Sequence, residues 1–328
     1  MRPLVHIGVH KTGTSWFQKR VYPRLTTHRL VDRRAIRIAF MCRDAFDFDP
    51  VAARGALDLD QASEPAILCE EDLSGILHQG LSSTYVAKEM ARRLHATLPE
   101  ANILIFVRAQ PTAALSWYHQ YVREGGTASL RRYLLPQRYR FLGKDRPFKI
   151  PCFDFAQLDY RGLIETYDRL YGREHVTVLP YEALARDRAA VLARVGALLR
   201  TDLQDPGGER VNGAYRSGLL PLLRLANLFT ARSLLYKRWL VHVPYWYAAR
   251  KWLFRQLNRS PLFGPVPRPA AGLDRELRQW IAARFSRSNR WLEQRMDWDL
   301  RSLGYPVDPP QEPVDRPAAP RWLAWTRQ

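Results

Sequence analysis

Residues 6–15 read HIGVHKTGTS, in which two glycines, a lysine and a run of hydroxyls follow an apolar stretch at a spacing that suits anion binding. A strand that ends in a tight turn and opens a helix directs consecutive backbone N–H groups, with the positive end of the helix dipole, at an anion. Gly8 and Gly13 have the separation found in the phosphate loop G-x-x-x-x-G-K-[ST], and Ser15 takes its hydroxyl position. Thr14, however, stands where that loop carries lysine, and the nearby lysine is Lys11, inside the loop. The dinucleotide pattern G-x-G-x-x-G fails too, because position 10 is His10.

Two further groups of polar residues follow apolar runs. In VRAQPTAALSWYHQYVREGG (107–126) Arg108 closes such a run, and Ser116 lies eight residues on, about two turns into the next helix. Arg123, seven residues past Ser116, falls on nearly the same face. In AILCEEDLSG (66–75) Glu70, Glu71 and Asp72 end a buried strand, at the sheet edge where such folds bind ligands. His10 and His119 add groups that titrate near neutrality.

The elements that must position these residues are legible as alternating strands and helices. Continuous apolar runs at 3–9, 66–71, 101–108 and 175–182 predict strands buried on both faces. Helical patterns at about 14–24, 82–98, 110–124, 157–171 and 183–200 lie between and after them. This order predicts an α/β fold: a doubly wound, mainly parallel sheet with flanking helices, of the P-loop nucleotide-binding type. Beyond DPGGERVNGAYRSG (205–218) the chain turns helical, aromatic and basic. We read one α/β domain over 1–308, with a basic aromatic helical insertion at about 217–260 and an extended Pro-rich tail over 309–328.

Composition bounds the function. With 51 Lys and Arg against 32 Asp and Glu, the formal charge is +19, a field that favours anionic ligands or surfaces. Cys42, Cys69 and Cys152 are far apart and form no C-x-x-C pair, so neither a disulfide framework nor a zinc site is indicated, and a reducing, cytoplasmic setting is expected. The first apolar run leads straight into the loop, which does not suit a cleaved signal. The most membrane-like stretch, WLVHVPYWYAA (239–249), is far shorter than the roughly 20 residues a spanning helix needs.

With its lysine early in the loop, HIGVHKTGTS resembles the 5′-phosphosulfate loop of sulfotransferases that use 3′-phosphoadenosine 5′-phosphosulfate (PAPS), in the bacterial and Golgi-type branch. The resemblance implies that Lys11 meets the oxygen between phosphate and sulfuryl group, where charge builds during transfer, and that Thr12, Gly13, Thr14 and Ser15 cradle the group. It likewise implies that Arg108 and Ser116 hold the 3′-phosphate, with Arg123 as a further ligand; an arginine fork and a hydroxyl suit a phosphate monoester. AILCEEDLSG is similar to a bacterial stretch in which a glutamate after the strand acts as base, which makes Glu71 the first candidate and Glu70 the reserve; His10 and His119 are rivals on the ordinary chemistry of histidine. ERVNGAYRSG (209–218) is similar to the loop that covers the donor, which assigns Arg210, Asn212 and Arg216 to the ligand; the lysine-glycine form of that loop is absent. The aromatics Trp117, Tyr118 and Tyr121 are candidates to stack on adenine or to fill core, Glu182 to cap or pair locally, and Ser288, Asn289 and Arg290 to pack or cap or, equally, to bind ligand.

The implied reaction is transfer of a sulfuryl group to a hydroxyl of a glycan or glycolipid, releasing 3′,5′-adenosine bisphosphate. A sulfuryl group carries one charge fewer than a terminal phosphoryl group, so no metal is required, and Arg108 rather than Asp follows ILIFV. Two alternatives stand beside it: a P-loop kinase or NTPase with a degenerate loop, and a basic protein that binds membrane or nucleic acid. The arginines are dispersed, which argues against nucleic acid. Residues 228–259 interleave basic residues with Trp, Tyr and Phe, a pattern shared by an in-plane contact with an anionic membrane and by a helix packed on the sheet.

Overall fold

Side chains along Asn102–Val107 alternate between two cores, as they must in a strand covered on both faces. Ile103, Ile105 and Val107 enter one, and Leu104 and Phe106 the other. The protein, seen in a computed structural model, is described for residues 2–135, 140–141, 144–145, 152–207, 215–231, 239–265, 272–311, 314–315 and 317. Its sheet has five parallel strands, β1 (Leu4–His6), β2 (Arg29–Leu30), β3 (Ala66–Cys69), β4 (Asn102–Val107) and, later in the chain, β7 (Val176–Pro180). They are ordered β2-β3-β1-β4-β7. A short antiparallel pair, β5 (Arg140–Phe141) and β6 (Lys144–Asp145), stands apart.

Helices cover both faces. The run after the loop is α-helical over Thr14–Trp16 (α1), π-helical over Phe17–Val21 and 3₁₀ over Tyr22–Arg24. It packs Phe17, Val21 and Tyr22 into the core that also takes Leu104 and Phe106. That core is shared with α8 (Ala183–Arg186) and α9 (Arg188–Leu199). The opposite core takes α2 (Arg33–Phe40), α3 (Pro50–Ala56), α4 (Ser82–Thr97), α5 (Gln110–Arg123), α6 (Leu130–Leu134) and α7 (Tyr160–Tyr171). The carboxy-terminal portion, α10 (Leu219–Ala226), α11 (Trp246–Leu257) and α12 (Arg275–Met296), is helical as expected and extends that core.

The expected strands and the doubly wound architecture are present. β1 is short by hydrogen-bond pattern, yet Ile7 and Val9 still donate to Leu104 and Phe106, so the extended run continues to the loop. Two differences have local causes. The helix expected over 183–200 breaks at Asp187, whose side chain accepts from the Ala190 amide and caps α9. β2 has two residues, too few to show a period. Much of the tail at 309–328 lies outside the described residues.

Candidate active site

The loop after β1 is built on two left-handed residues, Lys11 (φ 68°) and Gly13 (φ 89°). Gly13 sits in a backbone conformation that side chains resist, and a Cβ there would press on Leu184 Cδ1 at 3.1 Å. At Gly8 a Cβ would come 2.8 Å from Thr12 Oγ1 and 3.2 Å from His6 Nε2, so the loop closes tightly on itself. Thr12 Oγ1 donates to Val9 O at 2.5 Å, which fixes the turn. Thr14 Oγ1 is buried without a hydrogen-bond partner among the described residues, the kind of hydroxyl that an oxyanion in the loop would satisfy. Beneath the loop His6 is fully buried, meets Tyr22 Oη through Nδ1 at 2.8 Å, and is held neutral by burial, with its pKa lowered to about 3.

Lys11 reaches out of this turn and donates through Nζ to Gln120 Oε1 on α5 at 3.4 Å. Burial first, and then the charges of Arg123 and Arg108, lower its pKa to about 8, while Glu71 and Glu124 pull the other way. Arg108, at the end of β4, sends Nη1 to the backbone oxygen of Lys11 at 2.8 Å and Nε to Thr112 Oγ1 at 3.1 Å, with its guanidinium over the Tyr181 ring at 4.7 Å. Its Nη2 has no hydrogen-bond partner among the described residues. Ser116 is half-buried on the same helix, and Arg123 lies over the Tyr215 ring at 5.8 Å. The structure therefore brings Lys11, Arg108 and Arg123 into one positive field, with Gln120 as a fixed polar neighbour. Gln120 escaped the sequence reading, although it lies one turn after Ser116 on the same face.

The segment after β3 runs beside the loop. The Glu70 amide donates to His6 O at 3.1 Å, Ser74 Oγ approaches Gly8 O at 3.5 Å, and His10 Nε2 donates to Gly75 O at 2.6 Å. Glu70 is not suited to be the reserve base. It is fully buried, its carboxylate is gripped by Arg33 (2.9 Å to each oxygen) and Arg37 (2.9 and 3.3 Å), and it also accepts from the Asp72 amide. Burial alone would raise its pKa, but the Arg33 and Arg37 hydrogen bonds prevail and hold it below the ordinary carboxylate value. Arg33 and Arg37, one turn apart on α2 behind the Asp32 cap, were missed although their spacing is visible.

Glu71, the next residue, is one-quarter exposed and touches Arg33 at 3.3 Å, which leaves part of its carboxylate open. His10 is buried; with Nε2 committed as donor to a carbonyl, only Nδ1 remains to take a proton. It borders a cavity of about 430 Å³ between α4 and α7, whose wall includes Trp117, Tyr85, Lys88, Tyr160 and Arg284. His119 is shifted to about 4 by burial and by the Arg108 and Lys11 charges, so near neutrality it is uncharged.

Of the two places open to the α5 aromatics, the core is the one they take. Trp117, Tyr118 and Tyr121 are core residues, and Trp117 Nε1 donates to His10 O at 3.0 Å, bracing the loop from behind. Glu182 acts across the fold, not locally: its Oε1 accepts from the Ala109 amide at 3.1 Å and Thr112 Oγ1 at 3.2 Å, capping α5. Burial raises its pKa. The Arg216 guanidinium is held by the backbone oxygens of Asn258 (3.1 Å) and Gly264 (2.7 Å) rather than turned to the loop. Arg210 and Asn212 lie outside the described residues. Asn289 forms a reciprocal amide pair with Gln110 at 2.7 and 2.9 Å and Ser288 donates to Asp159, in agreement with a packing role.

No family model and no curated protein matches the chain. Solved structures do. The chain is similar to a sulfotransferase from Alicyclobacillus acidocaldarius at a TM-score of 0.53 and 17% identity, over 92% of this chain and 99% of that one. A mouse sulfotransferase, SULT7A1, complexed with PAP aligns at 0.38 and 12% identity (94% and 90% covered). A sulfotransferase domain from the curacin biosynthetic pathway aligns at 0.35 and 11% (81% and 99%). The first of these shows that the chain has the fold of a sulfotransferase.

Proposed function

We propose that the chain is a PAPS-dependent sulfotransferase acting on a hydroxyl of a glycan or glycolipid. The observation that carries the reading is the join between Lys11 and Arg108: a lysine set within an anion loop, and an arginine on the next strand fastened to that lysine's backbone. A donor with phosphate and sulfuryl oxygens at one end and a 3′-phosphate at the other needs two cations tied at a set separation. When bound, PAPS would supply the sulfuryl group and depart as 3′,5′-adenosine bisphosphate, while the acceptor oxygen forms the new O–S bond and releases its proton.

The chain's own residues divide the remaining work. The loop amides and Thr14 Oγ1 hold the 5′ end, and Lys11 places its ammonium against charge that develops on the leaving oxygen. Arg108 offers Nη2, which has no partner among the described residues, with Ser116 and Arg123, to the 3′-phosphate. Glu71 takes the acceptor proton, because its carboxylate is the one in the 70–72 cluster that is neither locked like Glu70 nor tied at 2.6 Å to an arginine, as Asp72 is to Arg37. The unpaired thiols of Cys42, Cys69 and Cys152 fit the cytoplasmic location read from the sequence.

The test is calorimetric binding of 3′,5′-adenosine bisphosphate against ATP with magnesium, followed by transfer of labelled sulfuryl groups from PAPS to hydroxylated acceptors. Preference for the bisphosphate, with transfer, is the expected result. Preference for ATP with magnesium, or binding of neither, would overturn the reading.

A further inference from the structure

Residues 210–273 contain eleven Lys and Arg and not one Asp or Glu, so more than half of the chain's formal charge of +19 sits in this segment. Its described part is also where large apolar side chains face outward. α10 buries Leu219 and Leu223, yet its other face presents Leu222, Leu225 (59% exposed) and, one turn on, Phe229. A surface helix normally carries polar residues there. The extended stretch that follows adds Trp239, Leu240 (71%), Val241, Val243 and Tyr245 (86%). Backbone bonds from Leu240 to Leu228 O (2.8 Å) and from Val243 to Phe229 O (3.0 Å) hold this stretch against the end of α10, so the apolar groups adjoin.

α11 completes the surface. Its inner side is fixed by Trp246, whose Nε1 donates to Ala226 O at 2.8 Å, by Arg250 and by Phe254. Its outer side reads Ala248, Trp252 (63% exposed) and Arg255, with Lys251 alongside and the exposed Arg259 just past its end. Isolated exposed hydrophobics are ordinary; a group of them in a segment whose own charged side chains are all cationic is not.

We infer that the face formed by α10, residues 239–245 and α11 docks on an anionic lipid bilayer. The charge pattern selects this occupant. A second copy would bring one carboxylate-free cationic face against another, and a nucleic-acid backbone offers nothing to bury Leu222, Leu225 and Phe229. An anionic bilayer supplies both parts: phosphates for Lys251, Arg255 and Arg259, and an acyl boundary for the leucines, with Trp and Tyr at the headgroup level. No helix among the described residues is long and apolar enough to cross a membrane, so the contact is in the plane of the surface.

The face is rigidly tied to the candidate active site. Asn227 Nδ2 donates to Val122 O (2.9 Å) and Gly126 O (2.6 Å), and the buried Arg250 joins Asn227 Oδ1 to Arg123 O (3.2 Å). These bonds seat it on the end of α5, the helix that carries Gln120 beside Lys11. Docking thus holds the site at a bilayer, where the acceptor is a hydroxylated lipid headgroup; this last step rests on the sulfotransferase reading, whereas docking itself does not.

The experiment is cosedimentation of the full chain with phosphatidylcholine vesicles and with phosphatidylglycerol–phosphatidylcholine vesicles. Binding to the anionic vesicles alone is expected, weakening but not vanishing as salt rises from about 0.1 M to about 1 M. Lys251→Glu with Arg255→Glu should lose at least about fivefold for each charge. The matched pair Lys19→Glu with Arg20→Glu, on exposed residues of the α1 run, should change little. Leu225→Ser with Trp252→Ala should abolish the salt-resistant part, with unchanged far-UV circular dichroism as the control for folding. Lys11→Ala should bind vesicles like the wild type, which keeps failure of docking separate from failure of the transfer chemistry. Equal loss in both charge pairs, equal binding to neutral vesicles, or self-association removed by Leu225→Ser without vesicle binding would overturn the inference.

Discussion

The guanidinium of Arg108 donates from Nη1 to the backbone oxygen of Lys11 at 2.8 Å, across 97 residues of chain. The end of β4 is thereby fastened to the loop that follows β1, and any ligand held by both feels a single rigid unit. Arg108→Ala should weaken 3′,5′-adenosine bisphosphate by about 10- to 100-fold, the size of a lost charged hydrogen bond. The preference for the bisphosphate over adenosine 5′-phosphate, measured by calorimetry, should shrink with it. An equal loss for both ligands would mean that Arg108 serves the loop and does not touch the 3′-phosphate. Arg108→Lys should not restore binding, since an ammonium cannot reach the loop oxygen and a phosphate as a fork.

Lys11 gives a pH dependence whose sign follows from its surroundings. Burial, Arg123 and Arg108 put its pKa at about 8 in the free protein, and a bound anion favours the charged form. Affinity for the bisphosphate should therefore be level below pH 8 and fall as pH rises above it, by at most about tenfold per unit, with proton uptake on binding. Lys11→Arg, charged throughout, should remove the alkaline limb. Lys11→Ala should lower kcat by about 10²–10³-fold, measured as initial rates of sulfuryl transfer.

Glu70 and Glu71 should separate stability from turnover. Glu70→Gln leaves Arg33 and Arg37 facing a neutral group, at the lower end of the ~3–5 kcal/mol that breaking a buried pair costs, because both arginines are partly exposed. Its Tm should fall by several degrees. Since the folded pKa of Glu70 is depressed, its contribution is complete above the ordinary carboxyl value of 4.5 and is lost as pH falls through the lower folded value, so the wild type and Glu70→Gln should converge in acid melts. Glu71→Gln should keep Tm and bisphosphate affinity and lose turnover; retained turnover would remove it as the base.

Gly13→Ala should fail at the loop alone. With φ at 89° and Leu184 Cδ1 at 3.1 Å, an added methyl costs about 1–2 kcal/mol in left-handed strain. We expect a small drop in Tm together with loss of bisphosphate binding, while urea unfolding stays cooperative.

Much of this protein is decided by neighbours in sequence. Buried-strand runs, helix periods and the glycine spacing of residues 6–15 act over a few residues, so the parallel sheet and the tight turn that carries Lys11 were readable directly. Even the break at Asp187 is a local capping event. What only the tertiary structure decided is which of several equivalent groups is free. Glu70 and Glu71 are identical and adjacent, but alternation along the strand end turns one into the Arg33–Arg37 clamp and leaves the other beside the loop. Trp117 and Tyr121 have the right type to stack on a base, yet the packing of α5 against the sheet buries them. Glu182 caps a helix by accepting from an amide 73 residues before it. The same holds for the apolar face of α10 and α11: composition gave its charge, but only the packing of Leu219, Leu223 and Phe254 inward determined which leucines and tryptophans were left outside. Pairings of this kind follow from the closure of the sheet over long chain separations, and short-range patterns carry no information about them.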